Sequence, residues 1–263
     1  MSAVEFRTVE QNLVHSFRTL ASDRPSGDVR NIAGVSIASA GTSFQMFNAA
    51  FLDSPVAESE DLERRIATAK VHFRARRLDW SFWVCEDLLP PKLRRRSDLY
   101  FERNGLRLAV QLPGMSAERL LPPRRPLPDI EVRRVADEST RLAFCDIGCT
   151  CFQVPLNWFR EIFLRQCLWD GDFVGYVAYA NGEPVATAAT VTAAGAVGVY
   201  NVATLPAHRR HGHGEAVMRY ALERARQQSG CERTILQATE HGLRLYLGMG
   251  YRTVTTVNVY ASR

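Results

Sequence analysis

Residues 130–135, Ile130-Glu131-Val132-Arg133-Arg134-Val135, alternate apolar and polar side chains with the period of a half-buried strand. Asp137 and Ser139 then offer caps for a helix carrying Leu142, Ala143, Cys145 and Ile147, and Pro155 opens a second helix predicted over 156–168. Strands are predicted over 173–180 and 184–192, joined at Asn181-Gly182, a pair suited to the two-residue hairpin turn. Gly195 marks the next turn, and 197–204 form a third strand. Val217, Met218, Ala221, Leu222 and Ala225 make the apolar stripe of a helix that ends near Gly230. Residues 234–238 extend, a short helix reaches Tyr246, and 252–260 alternate as a closing strand. The order of strand, two helices, three antiparallel strands, helix, strand, helix and strand predicts a mixed α/β (α+β) domain on a twisted sheet.

Ahead of this pattern, Leu121-Pro122-Pro123-Arg124-Arg125-Pro126-Leu127-Pro128 cannot continue a helix or a sheet ladder, because each proline lacks a donor and biases its predecessor away from helix. The expected organisation is therefore a first domain over 1–120, a linker over 121–128 and a second domain over 129–263. A chain of 263 residues, 46% hydrophobic and 23% charged, can fill two such cores, and that composition excludes disorder. The amino terminus lacks a signal-like apolar core and no run approaches the roughly 18 apolar residues of a membrane helix, so a cytoplasmic protein is expected.

Charge and cysteine change the picture little. Of the formal charge of +5, residues 1–128 carry +4, as 19 Lys and Arg against 15 Asp and Glu. The surplus gathers at Arg74, Arg76, Arg77, Lys92, Arg94, Arg95 and Arg96, without any nucleic-acid-binding signature beside it, so a solvated face is expected. Cys145, Cys149 and Cys151 cluster, but no histidine lies near and the spacing fits no common zinc site; reduced thiols are expected for all six cysteines.

The chemistry is carried by Arg209-Arg210-His211-Gly212-His213-Gly214. It follows a strand ending near Thr204 and a loop containing Pro206, and it opens a helix. Unpaired N–H groups and the helix dipole make such a start a site for phosphates, glycines allow close backbone approach, and Arg209 and Arg210 supply positive charge. A nucleotide-triphosphate loop would need Gly-Lys-Ser/Thr, which is missing, and a dinucleotide fingerprint would want a third small residue where Val217 stands. His208, His211 and His213 have a spacing open to a transition metal but are read as loop histidines, and no metal is expected.

In these residues the chain resembles the GCN5-related N-acetyltransferases (GNAT family), whose signature Arg/Gln-x-x-Gly-x-Gly/Ala stands here at Arg209 to Gly214. The strand end Val202-Ala203-Thr204-Leu205-Pro206 and the later Leu245-Tyr246-Leu247-Gly248-Met249-Gly250-Tyr251 also look like the family's. The resemblance implies a GNAT-like acyl-CoA N-acyltransferase fold and an acetyl group moved from acetyl-CoA to a primary amine. It implies that Val202, Ala203 and Thr204 pair with the pantetheine arm, and that Arg209, Arg210, His211, Gly212, His213, Gly214 and Glu215 hold the pyrophosphate. Tyr246 matches the family's general acid. Where the family often carries Asn, this chain has Thr239, leaving one cofactor hydrogen bond altered. An amine with a pKa near 10.4 must lose a proton before it attacks, and Glu240, His241, Asp172 and Glu183 are candidate bases.

The first domain has no such loop, yet Phe101 stands four residues before Gly105 as Tyr246 stands before Gly250. Together with Trp80, Phe82, Trp83 and Pro113-Gly114-Met115 this resembles acetyltransferases with two tandem copies, the amino-terminal one degenerate. An accessory α/β domain whose aromatics fill its own core is the other reading. The acceptor, a small-molecule or peptide amine, is open. A non-catalytic acyl-CoA-sensing or protein-binding module is the alternative function, and an intact Tyr246 argues against it.

Overall fold

The computed structural model describes residues 3–22 and 24–262. In chain order its first elements are α1 (Ala3–Ser22), β1 (Asp28–Ile32), β2 (Val35–Ser39), β3 (Asn48–Leu52), α2 (Ser59–Ala75), β4 (Ser81–Cys85), α3 (Pro91–Arg94), α4 (Ser97–Arg103) and β5 (Leu106–Ala117). There follow β6 (Glu131–Arg134), α5 (Glu138–Phe152), α6 (Leu156–Phe163), α7 (Gln166–Trp169), β7 (Val174–Ala180), β8 (Glu183–Ala193) and β9 (Ala196–Thr204). The chain closes with α8 (His213–Ser229), β10 (Thr234–Gln237), α9 (Glu240–Gly248) and β11 (Arg252–Ser262). Among the described residues no helix is long and apolar enough to cross a membrane.

Two compact units form, Met1–Gly114 with Thr253–Arg263, and Met115–Arg252. In the first, the strand order is β1-β2-β3-β4-β11-β5. The β2–β3 pair is antiparallel, and β4 runs parallel to β3. Leu62, Ile66, Ala69 and Phe73 share one face of α2 and enter a core with Val35, Ile37, Leu52, Phe82 and Val84. Trp83 and Phe51, on alternate strand positions, meet Phe17 of α1 instead, at ring distances of 4.9 and 5.3 Å. Tyr260 of β11 stacks on Phe101 at 3.8 Å and hydrogen-bonds Asp98 at 2.6 Å. The closing strand thus counts with the first unit, not with the 129–263 stretch that the linker suggests. Alternation makes a strand but does not choose its neighbour; the ladder from Val257↔Cys85 to Ala261↔Ser81 and the Tyr260 stack do.

In the second unit the order is β10-β9-β8-β7-β6, with the end of β5 flanking β10. The proline-rich stretch belongs to this unit and is held against it: Leu121 N–H donates to Met249 at 2.9 Å, and Arg219 Nη2 donates to the Leu121 carbonyl at 2.7 Å. Asn181 and Gly182 both have positive φ, the two-residue turn the sequence predicts. Asp137 caps α5 in a capping box with Thr140, leaving Ser139 inside the helix. The helix predicted over 156–168 is broken into α6 and α7, where Arg165 is extended and the Trp169 indole N–H takes the Phe163 carbonyl at 3.0 Å. Gly148 admits the Phe159 ring, which a β-carbon would meet at 2.3 Å. Among the described residues the six cysteines form no disulfide.

Candidate functional site

The site begins where β9 loses a neighbour. Parallel pairing with β10 runs from Val197↔Thr234 to Val199↔Leu236 and then ends. On the other side, β8 pairs Ala189 with Tyr200 and Thr187 with Ala203, so two residues of β9, Asn201 and Val202, oppose the single Ala188. This bulge is pinned by Asn201 in the left-handed region (φ 50°) and by Thr187 Oγ1, which donates to the Asn201 carbonyl at 2.8 Å. Past Val199, then, Val202, Ala203 and Thr204 lie on a bent strand with no strand partner toward β10 among the described residues. Two parallel strands that part at their carboxyl ends leave a cleft at a place where open α/β sheets bind ligands.

From Thr204 the chain turns through a short 3-10 segment, Pro206–His208, into the loop. Arg209 Nε donates to the Thr204 carbonyl at 3.2 Å, as does Cys151 Sγ at 3.2 Å. Arg210 and Gly212 both have positive φ, at 66° and 86°. Gly212 is the N-cap of α8 and has no side chain with which to take the first-turn N–H groups, those of His213, Gly214 and Glu215. The two glycines have different jobs. Gly212 answers a backbone conformation, whereas a β-carbon on Gly214 would lie 2.7 Å from Thr204 Oγ1, so that glycine brings α8 up against the strand end.

Side chains around the loop divide by exposure. Arg209, Arg210 and His211 are exposed, while His213 is 9% exposed. Burial, then the nearby His208 and His211, holds the His213 imidazole below its ordinary pKa, and its Nδ1 is enclosed without a hydrogen-bond partner among the described residues. The His208 and His211 rings each lie 6.0 Å from that of His213, and among the described residues no group of three His, Cys, Asp or Glu converges as metal ligands would. The Glu215 carboxylate is engaged one turn on by Arg219 at 2.8 Å, which leaves its N–H for the loop.

Tyr246 projects from the second turn of α9 into the core of the unit, 8% exposed, edge-on to Tyr251 at 6.0 Å. Burial pushes its phenol up to about 12, and among the described residues its hydroxyl makes no hydrogen bond. Thr239 is the exposed N-cap of α9; its carbonyl receives the Gly242 and Leu243 N–H groups at 3.0 Å. Of the candidate bases, Glu240 and His241 occupy the first turn of α9, at the carboxyl end of β10. Glu183 starts β8 beyond the row that pairs Ala186 with Thr204. Asp172 precedes Val174, which pairs with Thr190, and so sits toward the opposite end of the sheet from the cleft. Gln237, at the end of β10, is a polar residue of the cleft region that carries no sequence signal, whereas His213 is read from the sequence as a loop residue and not as one with an enclosed nitrogen. Only the enclosure of Gln237 Nε2 and of His213 Nδ1 marks these atoms.

Residues 141–251 match the model of the acetyltransferase (GNAT) family. Among solved structures, a GCN5-related N-acetyltransferase from Kribbella flavida shares the fold with a TM-score of 0.73 at 20% identity, covering 98% of this chain and 95% of its own. A functionally unknown conserved protein from Staphylococcus epidermidis ATCC 12228 gives 0.65 at 13% identity, covering 92% and 96%. A GCN5-related N-acetyltransferase from Sphaerobacter thermophilus gives 0.59 at 12% identity, covering 96% and 92%. No curated protein matches the chain. At these identities the structural likeness is one of fold, and it extends over nearly the whole chain.

Proposed function

We propose that the second unit, whose residues 141–251 match the model of the acetyltransferase (GNAT) family, is an acyltransferase that moves an acetyl group from acetyl-CoA to a primary amine by direct attack. The observation that carries this reading is the parting of β9 from β10 directly before a helix start that has no capping side chain. Backbone groups of Val202, Ala203 and Thr204 would pair with the pantetheine arm along the free strand edge. The N–H groups from His211 to Glu215 would hold the pyrophosphate, with Arg209 and Arg210 neutralising it. Thr239 offers a hydroxyl where relatives often have a carboxamide.

Acetyl-CoA supplies an acyl group already activated as a thioester. The protein's part is to bring a neutral amine to it and to manage two protons. A bond forms between the amine nitrogen and the acyl carbon, and the carbon–sulfur bond breaks. Tyr246, a phenol kept protonated by burial, donates to the departing sulfur. The amine's surplus proton leaves to water or to a base, for which Glu240 and His241 are better placed than Asp172.

The first unit we read as a degenerate copy that does not hold coenzyme A. It repeats the order of antiparallel hairpin, helix and parallel strand, but the loop before α2 differs in charge. Glu58 is the N-cap of α2, and Glu60 and Asp61 fill its first turn, which repels a pyrophosphate. The buried Arg65 guanidinium donates to the Gly34, Ser54 and Pro55 carbonyls at 2.8–3.2 Å, occupying the loop from within. Phe101 has no proton to give.

Thermal unfolding with and without acetyl-CoA tests the assignment. Saturating ligand should raise Tm, by about 2.7 kcal/mol of stabilisation at a hundred times Kd. Gly212→Asp, which puts a carboxylate at the pyrophosphate site and strains a positive φ, should abolish the rise. A native protein whose Tm does not respond would refute the reading.

A further inference from the structure

Gln237 is the last residue of β10, and its side chain makes no hydrogen bond among the described residues. Nε2 is enclosed by protein without a partner. A carboxamide carries two N–H donors and a carbonyl acceptor, and turning it about its last bond exchanges which of them faces inward. Enclosing such a group with nothing to satisfy it is unfavourable, and buried polar groups in native proteins are seldom left so. Glutamine on a strand next to a core also gives away the stabilisation that an apolar residue would supply there.

Its position suggests what it is for. Leu236, one residue earlier, forms the last rung between β10 and β9 and joins the core beneath α8. Strand alternation sends Gln237 to the opposite face, at the point where the two strands part. Two residues later Thr239 caps the helix that bears Tyr246. The unfilled carboxamide therefore stands at the head of the cleft assigned to the thioester, on the face away from the coenzyme's helix.

We propose that Gln237 binds and positions the acceptor, and that the acceptor is an amine with an oxygen close to the reacting nitrogen, as in an amino alcohol, an amino sugar or an α-amino carbonyl compound. This rests on the acetyl-transfer reading above. An attacking amine directs its lone pair at the acyl carbon, so that lone pair cannot also receive a Gln237 N–H. The N–H needs another acceptor, and an oxygen two or three bonds from the amine supplies one. Meanwhile Oε1 can take one of the amine's own hydrogens and so help aim the nitrogen. A plain alkylamine satisfies half of this group. A neutral carboxamide also does not select for the charged ammonium, which is the unreactive form.

The test uses thiol release from acetyl-CoA with size-matched pairs, ethanolamine against propylamine and glycinamide against butylamine. In the native protein the oxygen-bearing member of each pair should have the higher kcat/KM. In Gln237→Met, which keeps length and loses both donor and acceptor, that preference should fall by about tenfold, the scale of one hydrogen-bonded group. Because each ratio is compared between native and variant, the differing basicities of the amines cancel. The acetyl-CoA-induced rise in Tm should be unchanged, and Gln237→Leu serves if the methionine variant fails to fold. Equal kcat/KM within a pair, a preference that survives the substitution, or no turnover of the oxygen-bearing amines would each overturn the assignment. If acetyl-CoA still raises Tm, only the role of Gln237 is lost; if it does not, the acetyl-transfer reading falls with it.

Discussion

Gly242 and Tyr246 stand one turn apart in α9, and the tyrosine ring fills the space beside the glycine: a β-carbon at 242 would lie 2.6 Å from Cε2 and 3.2 Å from the hydroxyl oxygen. In an exposed helix Gly→Ala gains about 1 kcal/mol. Here the added methyl must displace the ring. Gly242→Ala should lower kcat by about tenfold or more while failing to raise Tm. A variant with higher Tm and native turnover would show that the ring position is not what the reaction uses.

Tyr246→Phe separates packing from proton donation. The ring volume is nearly kept, so Tm should move little. Loss of a general acid typically costs 10²–10⁴-fold in rate, and kcat should fall on about that scale with the KM for acetyl-CoA close to native. Since burial raises the phenol to about 12, the native kcat should show no decline from tyrosine ionisation between pH 7 and 10. Turnover by the phenylalanine variant at the native rate would assign Tyr246 to the core.

Glu10 of α1 offers a test by pH. It is 7% exposed, its sole ion pair among the described residues is with Arg7 at 3.8 Å, and burial raises its carboxyl to about 7. An acid whose folded pKa lies above its unfolded value binds more protons when folded, so its contribution to stability is complete below about pH 4.5 and is lost as pH rises through 7. Glu10→Gln should be near native in Tm at pH 4.5 and more stable at pH 8, by up to about 3 kcal/mol for a shift of this size. Parallel Tm curves for the two proteins across pH 4.5–8 would mean that Glu10 ionises normally.

Arg65 holds the first unit's strand-to-helix loop. Besides the three carbonyls, it pairs with Asp61 at 2.8 Å while only 6% exposed. Arg65→Met should cost about 3–5 kcal/mol, because the carboxylate and carbonyls lose their shared donor. The hydrogen bond from Arg65 also keeps the Asp61 pKa below its ordinary value, so part of this stability is present at neutral pH and lost on acidification. Arg65→Lys should recover only a fraction, since an ammonium cannot reproduce the fork. Because we propose that the coenzyme binds in the second unit, the Tm rise with acetyl-CoA should persist in both variants.

Much of the second unit was legible in local patterns. The Asn181-Gly182 turn, the stripe of α8 and its αL cap at Gly230 follow from rules acting over a few residues, and the structure contains all three. The break between α6 and α7 was not legible, because no glycine or proline marks Leu164-Arg165, and an indole that donates to a carbonyl six residues back leaves no periodicity to read. Gly214 was readable as needed but not for its reason; its closest neighbour is Thr204, ten residues back. Gln237 and Glu10 look ordinary in sequence. Their significance lies in an enclosed Gln237 Nε2 and a buried Glu10, and enclosure depends on parts of the chain far away.

The periodicities, the turns and the loop Arg209 to Gly214 can be read along the chain, because strand and helix signals and glycine's freedom at positive φ are local. The tertiary structure alone decided that β11 pairs with β4, that β9 parts from β10 after Val199, and which polar groups are shut away from water. Strand pairing, bulges and burial join residues tens to hundreds of positions apart, and no window along the chain contains both partners.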